Sequence, residues 1–214
     1  MSYGPLHTLR YLYKGETIAR ILMNVALSEE TISGQVIDIG GGRDPDYFEY
    51  LVHNNVVSVE PVDGSLSGIN FETDPLPYAD GSVDTVLLCN VLEHVYNHQF
   101  LLEQTRRVLR SEGSLVGFVP FWVGYHPDPR DYFRYTSAAL EKMLLQVGFS
   151  SVKVRSVGGS PVLANFNTIV LSLPRLLRPV AYLWYGLLDK LFLTLRPGST
   201  KRFPLGFIFT GVKK

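Results

Sequence analysis

Two stretches of the chain carry side chains whose type and spacing suit chemistry. The first is "VIDIGGGRDP", residues 36–45, where an apolar run ends in Asp38 and Ile39 before three glycines, Gly40, Gly41 and Gly42. Consecutive glycines mark a place where something comes too close to the backbone for a side chain. A phosphate, a nucleoside or a structural turn would each fit. Glu60 closes the next apolar run about 20 residues after Gly40, where a carboxylate can accept both hydroxyls of a ribose. A dinucleotide fingerprint needs a third glycine where this chain has Pro45, and proline removes a donor amide there. Pyrophosphate, and with it a nicotinamide cofactor, is disfavoured. A ligand with a ribose and no phosphate suits both observations.

The second stretch supplies bases. His94 stands in "LEHV" and His126 in "YHPDPRDYFRYT", a segment that also holds Asp128, Arg130, Asp131 and Arg134 between tyrosines. A histidine titrates near neutrality and can take a proton from a hydroxyl nucleophile. His126 is the expected base, Asp131 its orienting carboxylate, and His94 the other candidate. The competing reading of His94 is a cofactor-side or structural histidine; that of the 125–136 segment is a surface loop whose charges pair. No i, i+4 histidine pair or carboxylate cluster supports a metal, so none is expected.

These residues need a frame. Residues 8–27 have apolar positions at helical spacing. Strands are expected at 35–39, 56–60, around 69–71, at 83–89, 114–121, 151–157 and 206–212. Helices are expected at 46–53, 97–109 and from Thr136, as N-cap, to Gln146, with Gly148 ending the last. The run 83–89 is apolar or β-branched apart from Asp84, as in a strand buried on both faces. Alternating strands and helices give a doubly wound α/β sheet with helices on both faces, which binds ligands at the carboxyl ends of its strands.

Composition is consistent with one domain of 214 residues, 46% hydrophobic and 19% charged. Twenty basic and twenty acidic residues cancel, so no bulk electrostatic case for nucleic acid exists. One cysteine, Cys89, gives no disulfide framework, and the N-terminus lacks the apolar core of a signal peptide; a reducing, cytoplasmic setting is expected. The charge is uneven: from Val170 onward eight Lys/Arg face one acid, Asp189, so this tail is +7 and the remainder −7.

The segments "VIDIGGG", "VVSVE", "DPLPYADGSVDTVLLCNVLEHV" and "LLEQTRRVLRSEGSLVGFVPF", in that order, resemble the S-adenosylmethionine-dependent methyltransferases of the Rossmann-like class, in particular the type 11 methyltransferase domain. The resemblance implies a mostly parallel seven-stranded sheet with an antiparallel last strand, and S-adenosyl-L-methionine as cofactor. By resemblance, Asp38, Gly40, Gly41 and Gly42 line its methionine part and Glu60 holds its ribose. Glu72 or Asp74 contacts the adenine, and Asn90 faces the methionine end. One departure stands out: Asp44 occupies a position where the family is usually small. Singly, Asp38 could bond loop amides and Asp84 could be an ordinary acid; the set favours a cofactor site. A catalytically silent, cofactor-fold binding protein is the competing class.

A segment of about 160–203 precedes the last expected strand and is longer than a crossover needs; an N-terminal helical cap, 5–30, flanks the other end. Pro174 and Pro179 leave 180–195 as its longest helix, with an apolar arc and with Arg178, Asp189 and Arg196 opposite. It is too short and charged to span a bilayer. Residues 162–200 are expected to pack on the domain, meet a second subunit, or rest on an anionic membrane surface. The "HPDPRDYFRYT" segment together with this insertion resembles methyltransferases of bacterial surface-polysaccharide synthesis, which implies a small-molecule, glycan or lipid-linked acceptor methylated on a hydroxyl.

Overall fold

A computed structural model describes residues 5–42, 46–51, 56–62, 68–127 and 129–214. The described strands form one six-stranded sheet in the order β2-β1-β3-β4-β6-β5: β1 (Gly34–Ile39), β2 (Val56–Val62), β3 (Val83–Cys89), β4 (Leu109–Pro120), β5 (Phe149–Val157) and β6 (Gly206–Lys213). Strands β2, β1, β3 and β4 are parallel, whereas β6 runs antiparallel between β4 and β5. The helices are α1 (Pro5–Lys14), α2 (Ile18–Leu27), α3 (Phe48–Leu51), α4 (His98–Val108), α5 (Ser137–Val147), α6 (Pro161–Ile169) and α7 (Leu177–Leu195).

The two-residue period of the strands sorts apolar side chains to opposite faces. On one face Ile37, Ile39, Val86, Leu88, Leu115, Val119, Phe207 and Phe209 pack against Leu101 and Leu102 of α4 and Leu140 and Leu144 of α5. On the other, Val36, Leu87, Cys89, Val116, Phe118 and Ile208 meet Met23, Ala26 and Leu27 of α2 and Leu51 of α3. A third cluster joins α1, α2 and α6 through Leu12, Ile21, Ala164 and Phe166. The doubly wound α/β reading therefore holds.

Three expectations change. Six strands replace seven, because residues 69–71 form a turn. There the side chain of Asn70 accepts from the Glu72 amide at 3.0 Å, and Asp74 accepts from the Asn70 amide at 2.9 Å. Such local bonds supply what a ladder would have given. The N-terminal helix is two helices: Gly15 has φ +116°, and Thr17 caps the second by accepting from the Arg20 amide at 3.2 Å. Pro179 does not break α7. It lies in the first turn, where its missing N–H leaves no intrahelical bond unmade. Thr136 does cap α5, through the Ala139 amide, and Gly148 ends it in the left-handed region at φ +97°.

Helix α7 also sits the other way round from the usual amphipathic helix. Arg178 is buried and donates to the Leu171 and Leu173 carbonyls at 3.0 Å each, and Ser160 donates to Asp189. Tyr182 and Tyr185 pack onto Phe166. Leu183, Trp184, Leu187 and Leu191 face outward, each about 60% exposed. Among the described residues no helix is long and apolar enough to cross a membrane.

Candidate active site

The chain leaves β1 for β2 at one side and returns to β3 at the other, so strand order reverses between β1 and β3. A crevice opens at such a point beyond the strand ends. Here it is a cavity of about 600 Å³, walled by α2, the Gly40–Gly41 turn, Asn90 and His94 after β3, the loop after β4 with His126, and Asn167 of α6.

The glycine turn is a tight one. Gly40 has φ +76°, and its amide donates to the Val62 carbonyl at 2.8 Å. A Cβ at Gly41 would lie 1.9 Å from Asp38 Oδ2 and 2.4 Å from the Tyr47 hydroxyl. Those two atoms are themselves bonded, Tyr47 donating to Asp38 Oδ2 at 2.6 Å. Asp38 is completely buried, and its Oδ1 has no hydrogen-bond partner among the described residues. Burial raises its carboxyl to about 7, against the opposing pull of the Tyr47 hydrogen bond and the Arg20 charge. Burial likewise pushes the Tyr47 hydroxyl and the Cys89 thiol upward. Gly40 and Gly41 line the cavity, while Asp38 supports the turn from below rather than lining the wall. Gly42 follows at φ +71° and is not part of the wall; Arg43, Asp44 and Pro45, like Asp128 and His53, lie outside the described residues.

Asn90 ends β3 with φ +55°, an unusual conformation for a side-chain-bearing residue. Its amide donates to the Phe118 carbonyl at 2.9 Å and its side chain donates to Met23 Sδ at 3.2 Å, which holds it on the cavity wall. Glu60 is exposed, two residues before the end of β2, and away from this wall. Burial and, secondarily, the Glu60 charge and hydrogen bond raise the Tyr78 hydroxyl to about 12. Glu72 accepts from the Tyr96 amide at 3.2 Å, and Asp74 is occupied within its own turn. Neither acid lines the cavity.

The two candidate bases meet. His94 and His126 stand edge to face with ring centroids 5.1 Å apart. The loop after β4 reaches back because the Tyr132 and Phe133 amides donate to the Glu93 carbonyl and the Tyr135 hydroxyl donates to the Leu92 carbonyl. His126 Nδ1 faces the Gly124 carbonyl at 3.0 Å. Asp131 lies 3.7 Å from that nitrogen, accepts from the His126 amide at 3.1 Å, and is clasped by Arg134. Arg134 is the main reason the Asp131 carboxyl falls to about 2. Asp131 thus fixes the backbone of the loop, and a carbonyl orients the ring. Beside His94 stands a residue that the sequence reading passed over, Glu93. It is fully buried, neither carboxylate oxygen has a hydrogen-bond partner among the described residues, and burial raises it to about 8. The signal was an acid inside an otherwise apolar run, "VLEHV".

Residues 38–117, which span the glycine turn, Asn90 and His94, match the family model described as "Methyltransferase domain". These residues are a methyltransferase domain. An uncharacterized methyltransferase of Mycolicibacterium gilvum (strain PYR-GCK) is 32% identical over 126 residues, covering 51% of this chain and 49% of its own length. The chain thus spans about half of that relative. Another, from Mycobacterium sp. (strain KMS), is 28% identical over 175 residues, 70% of this chain and 69% of its own. Among solved structures, a SAM-dependent methyltransferase from Archaeoglobus fulgidus aligns with TM-score 0.57 at 15% identity, over 91% of this chain and 94% of its own. Haemonchus contortus phosphoethanolamine N-methyltransferase 2, in complex with S-adenosyl-L-methionine, aligns with TM-score 0.54 at 17% identity, over 89% of this chain and 52% of its own. The six-stranded arrangement is that of the Rossmann-like methyltransferases.

S-adenosylmethionine is the cofactor of this domain family, and the methyltransferase domain fits it. The Gly40–Gly41 turn leaves no room for a side chain and opens onto the cavity at the strand-order reversal, and Asp38 beneath it keeps an oxygen without a partner.

Proposed function

We propose that this protein transfers a methyl group from S-adenosylmethionine to a hydroxyl of a small-molecule, glycan or lipid-linked acceptor. The observation that carries this reading is the continuity of one cavity from the glycine turn and Asn90 to His94 and His126. When bound, the cofactor supplies an activated methyl carbon. Gly40, Gly41 and Asn90 would hold its methionine end, and Glu60, with Glu72 or Asp74, all outside the cavity wall, would serve a nucleoside side that extends beyond it. Val123, Tyr125 and Leu171 form the wall at the opposite end. His126 Nε2 takes the hydroxyl proton, since Nδ1 is engaged by a carbonyl that can only accept. His94 packs against it and keeps the ring in place. Calorimetry with S-adenosylhomocysteine followed by transfer of labelled methyl to a panel of hydroxyl acceptors tests the proposal. Binding without transfer to any acceptor would favour a silent binding protein, and no binding would overturn the cofactor assignment.

The acceptor is proposed to be met at a surface. We infer that α7 rests on an anionic membrane rather than against a second subunit. Its outward face carries Leu183, Trp184, Leu187 and Leu191, while its acid, Asp189, is turned inward to Ser160. Exposed Arg175, Lys190, Arg196, Lys201 and Arg202 flank that face and complement anionic lipid. Sedimentation with anionic vesicles tests it: loss of binding in neutral vesicles supports the charge argument, and no binding at low salt overturns it.

A further inference from the structure

We propose that Glu93, His94 and His126 form a binding site for one divalent first-row transition-metal ion at the acceptor end of the cavity. One ligand atom from each of the three lies within 4.8 Å of the others. Two imidazoles and one carboxylate make a donor set suited to Zn²⁺, Co²⁺ or Ni²⁺, leaving further positions for oxygen ligands.

Three independent features prepare these side chains for a cation. His94 Nδ1 faces the Arg130 carbonyl and His126 Nδ1 faces the Gly124 carbonyl. Carbonyl oxygens only accept, so a hydrogen on each Nδ1 satisfies them and leaves each Nε2 a lone pair; the Arg134 Nη2 contact to His126 Nδ1, at 3.5 Å, is longer than the carbonyl's 3.0 Å. This is the outer-shell arrangement that fixes the tautomer of metal-bound histidine. Second, Glu93 is fully buried, neither of its oxygens has a hydrogen-bond partner among the described residues, and His94 Nε2 is 3.7 Å from Glu93 Oε1. A buried carboxylate without hydrogen bonds is costly unless a cation compensates it. Third, Arg134, whose charge acts on Glu93, is already neutralised: it is clasped by Asp131 with contacts of 2.5 and 2.7 Å.

Ligand atoms about 2 Å from one ion lie roughly 3 to 4 Å from each other. The site is slightly wider than that. The His126 side chain is 44% exposed and on a loop, and a small movement of it would close the site. Sequence spacing concealed the set, since His126 comes from the loop after β4 and the other two from the turn after β3.

A cation here would bind an oxygen of the acceptor and acidify it, and with His126 Nε2 engaged as a ligand this would take the place of that nitrogen's role as base. That consequence rests on the methyltransferase reading; the site itself does not. Protein freed of metal by chelation and dialysis is titrated with Zn²⁺ against a chromophoric chelator, and with Co²⁺ while its visible absorption is recorded. The expected result is one equivalent per chain, with cobalt bands of low-symmetry nitrogen–oxygen ligation. Affinity should fall at least about tenfold in His126→Ala and in Glu93→Gln. His126→Ala changes an exposed side chain and keeps the test valid should Glu93→Gln not fold. Binding of less than one equivalent, or affinity unchanged in His126→Ala, overturns the proposal. S-adenosylhomocysteine affinity, measured on the same metal-free protein, reports separately on the cofactor assignment.

Discussion

The imidazoles of His94 and His126, contributed by different loops, meet edge to face at 5.1 Å over one end of the cavity. The turn after β3 and the loop after β4 are therefore one structural unit, pinned together by hydrogen bonds to the Glu93 and Leu92 carbonyls. His126→Ala is expected to reduce methyl transfer by about 10²-fold or more. Because the ring stands apart from the glycine turn, affinity for S-adenosylhomocysteine should change less than about threefold. Initial rates and calorimetry on the same variant check the split; an unchanged rate would remove His126 from the chemistry.

Gly41→Ala should abolish tight cofactor binding. The new Cβ would fall 1.9 Å from Asp38 Oδ2 and 2.4 Å from the Tyr47 hydroxyl, so the Asp38–Tyr47 pair or the turn must move. The expected losses are at least tenfold in S-adenosylhomocysteine affinity and roughly 1–3 kcal/mol in stability. Gly186→Ala, at a site in α7 with nothing within 4 Å, is the control and should be neutral or stabilising. Equal effects from both variants would refute the close-approach argument.

Asp38 makes stability depend on pH. Its carboxyl titrates near 7 in the folded protein and near 3.8 when unfolded. Between those values the folded state holds a proton that the unfolded state has lost. This residue's contribution to stability is therefore highest below pH 4, declines as pH rises to about 7, and is level above. Asp38→Asn stays neutral throughout and can still accept from Tyr47. The difference between variant and parent in urea-unfolding free energy should grow in the variant's favour from pH 5 to pH 8, by more than about 1 kcal/mol. A difference independent of pH would show that Asp38 is not the group responsible.

Leu187→Glu together with Leu183→Glu should end sedimentation with anionic vesicles. Both side chains are about 60% exposed, so the thermal midpoint should move by less than about 2 °C. Removing the whole 162–200 segment would instead strip buried Phe166 and Val170 from the core, which makes point changes the cleaner experiment. Retained vesicle binding by a folded double variant would overturn the membrane assignment.

Much of the frame was readable in the residues. The run Val83–Cys89 was recovered as β3 to the residue, since β-branched Val83, Thr85 and Val86 with apolar Leu87, Leu88 and Cys89 outweigh the single acid, Asp84, near its start. Thr136 and Gly148 bounded α5 because caps are chemical signals local to the chain. The glycine turn was also visible, but its partner was not. Tyr47 and Asp38 form a buried pair that no spacing rule announces. The fault at 69–71 arose where Asn70 and Asp74 satisfy the backbone locally, which apolar neighbours Ile69 and Phe71 concealed. The inward turn of Arg178 and Asp189 was hidden too. Periodicity shows which residues share a face, and only the carbonyls of Leu171 and Leu173 and the hydroxyl of Ser160 decide which face is docked.

Strand β6 lies antiparallel beside β5, and Val157 stands in register with Gly206. The chain therefore leaves the sheet and re-enters it at adjacent points, with everything from Gly158 to Leu205 between them. That stretch is a cassette: it carries Asn167 and Leu171 of the cavity wall and the outward apolar face of α7, yet no strand of the sheet. Exchanging it would leave the glycine turn and the strand order untouched. One side of the cavity wall and the outward apolar face of α7 thus belong to a single continuous stretch, separate from the glycine-turn end of the sheet.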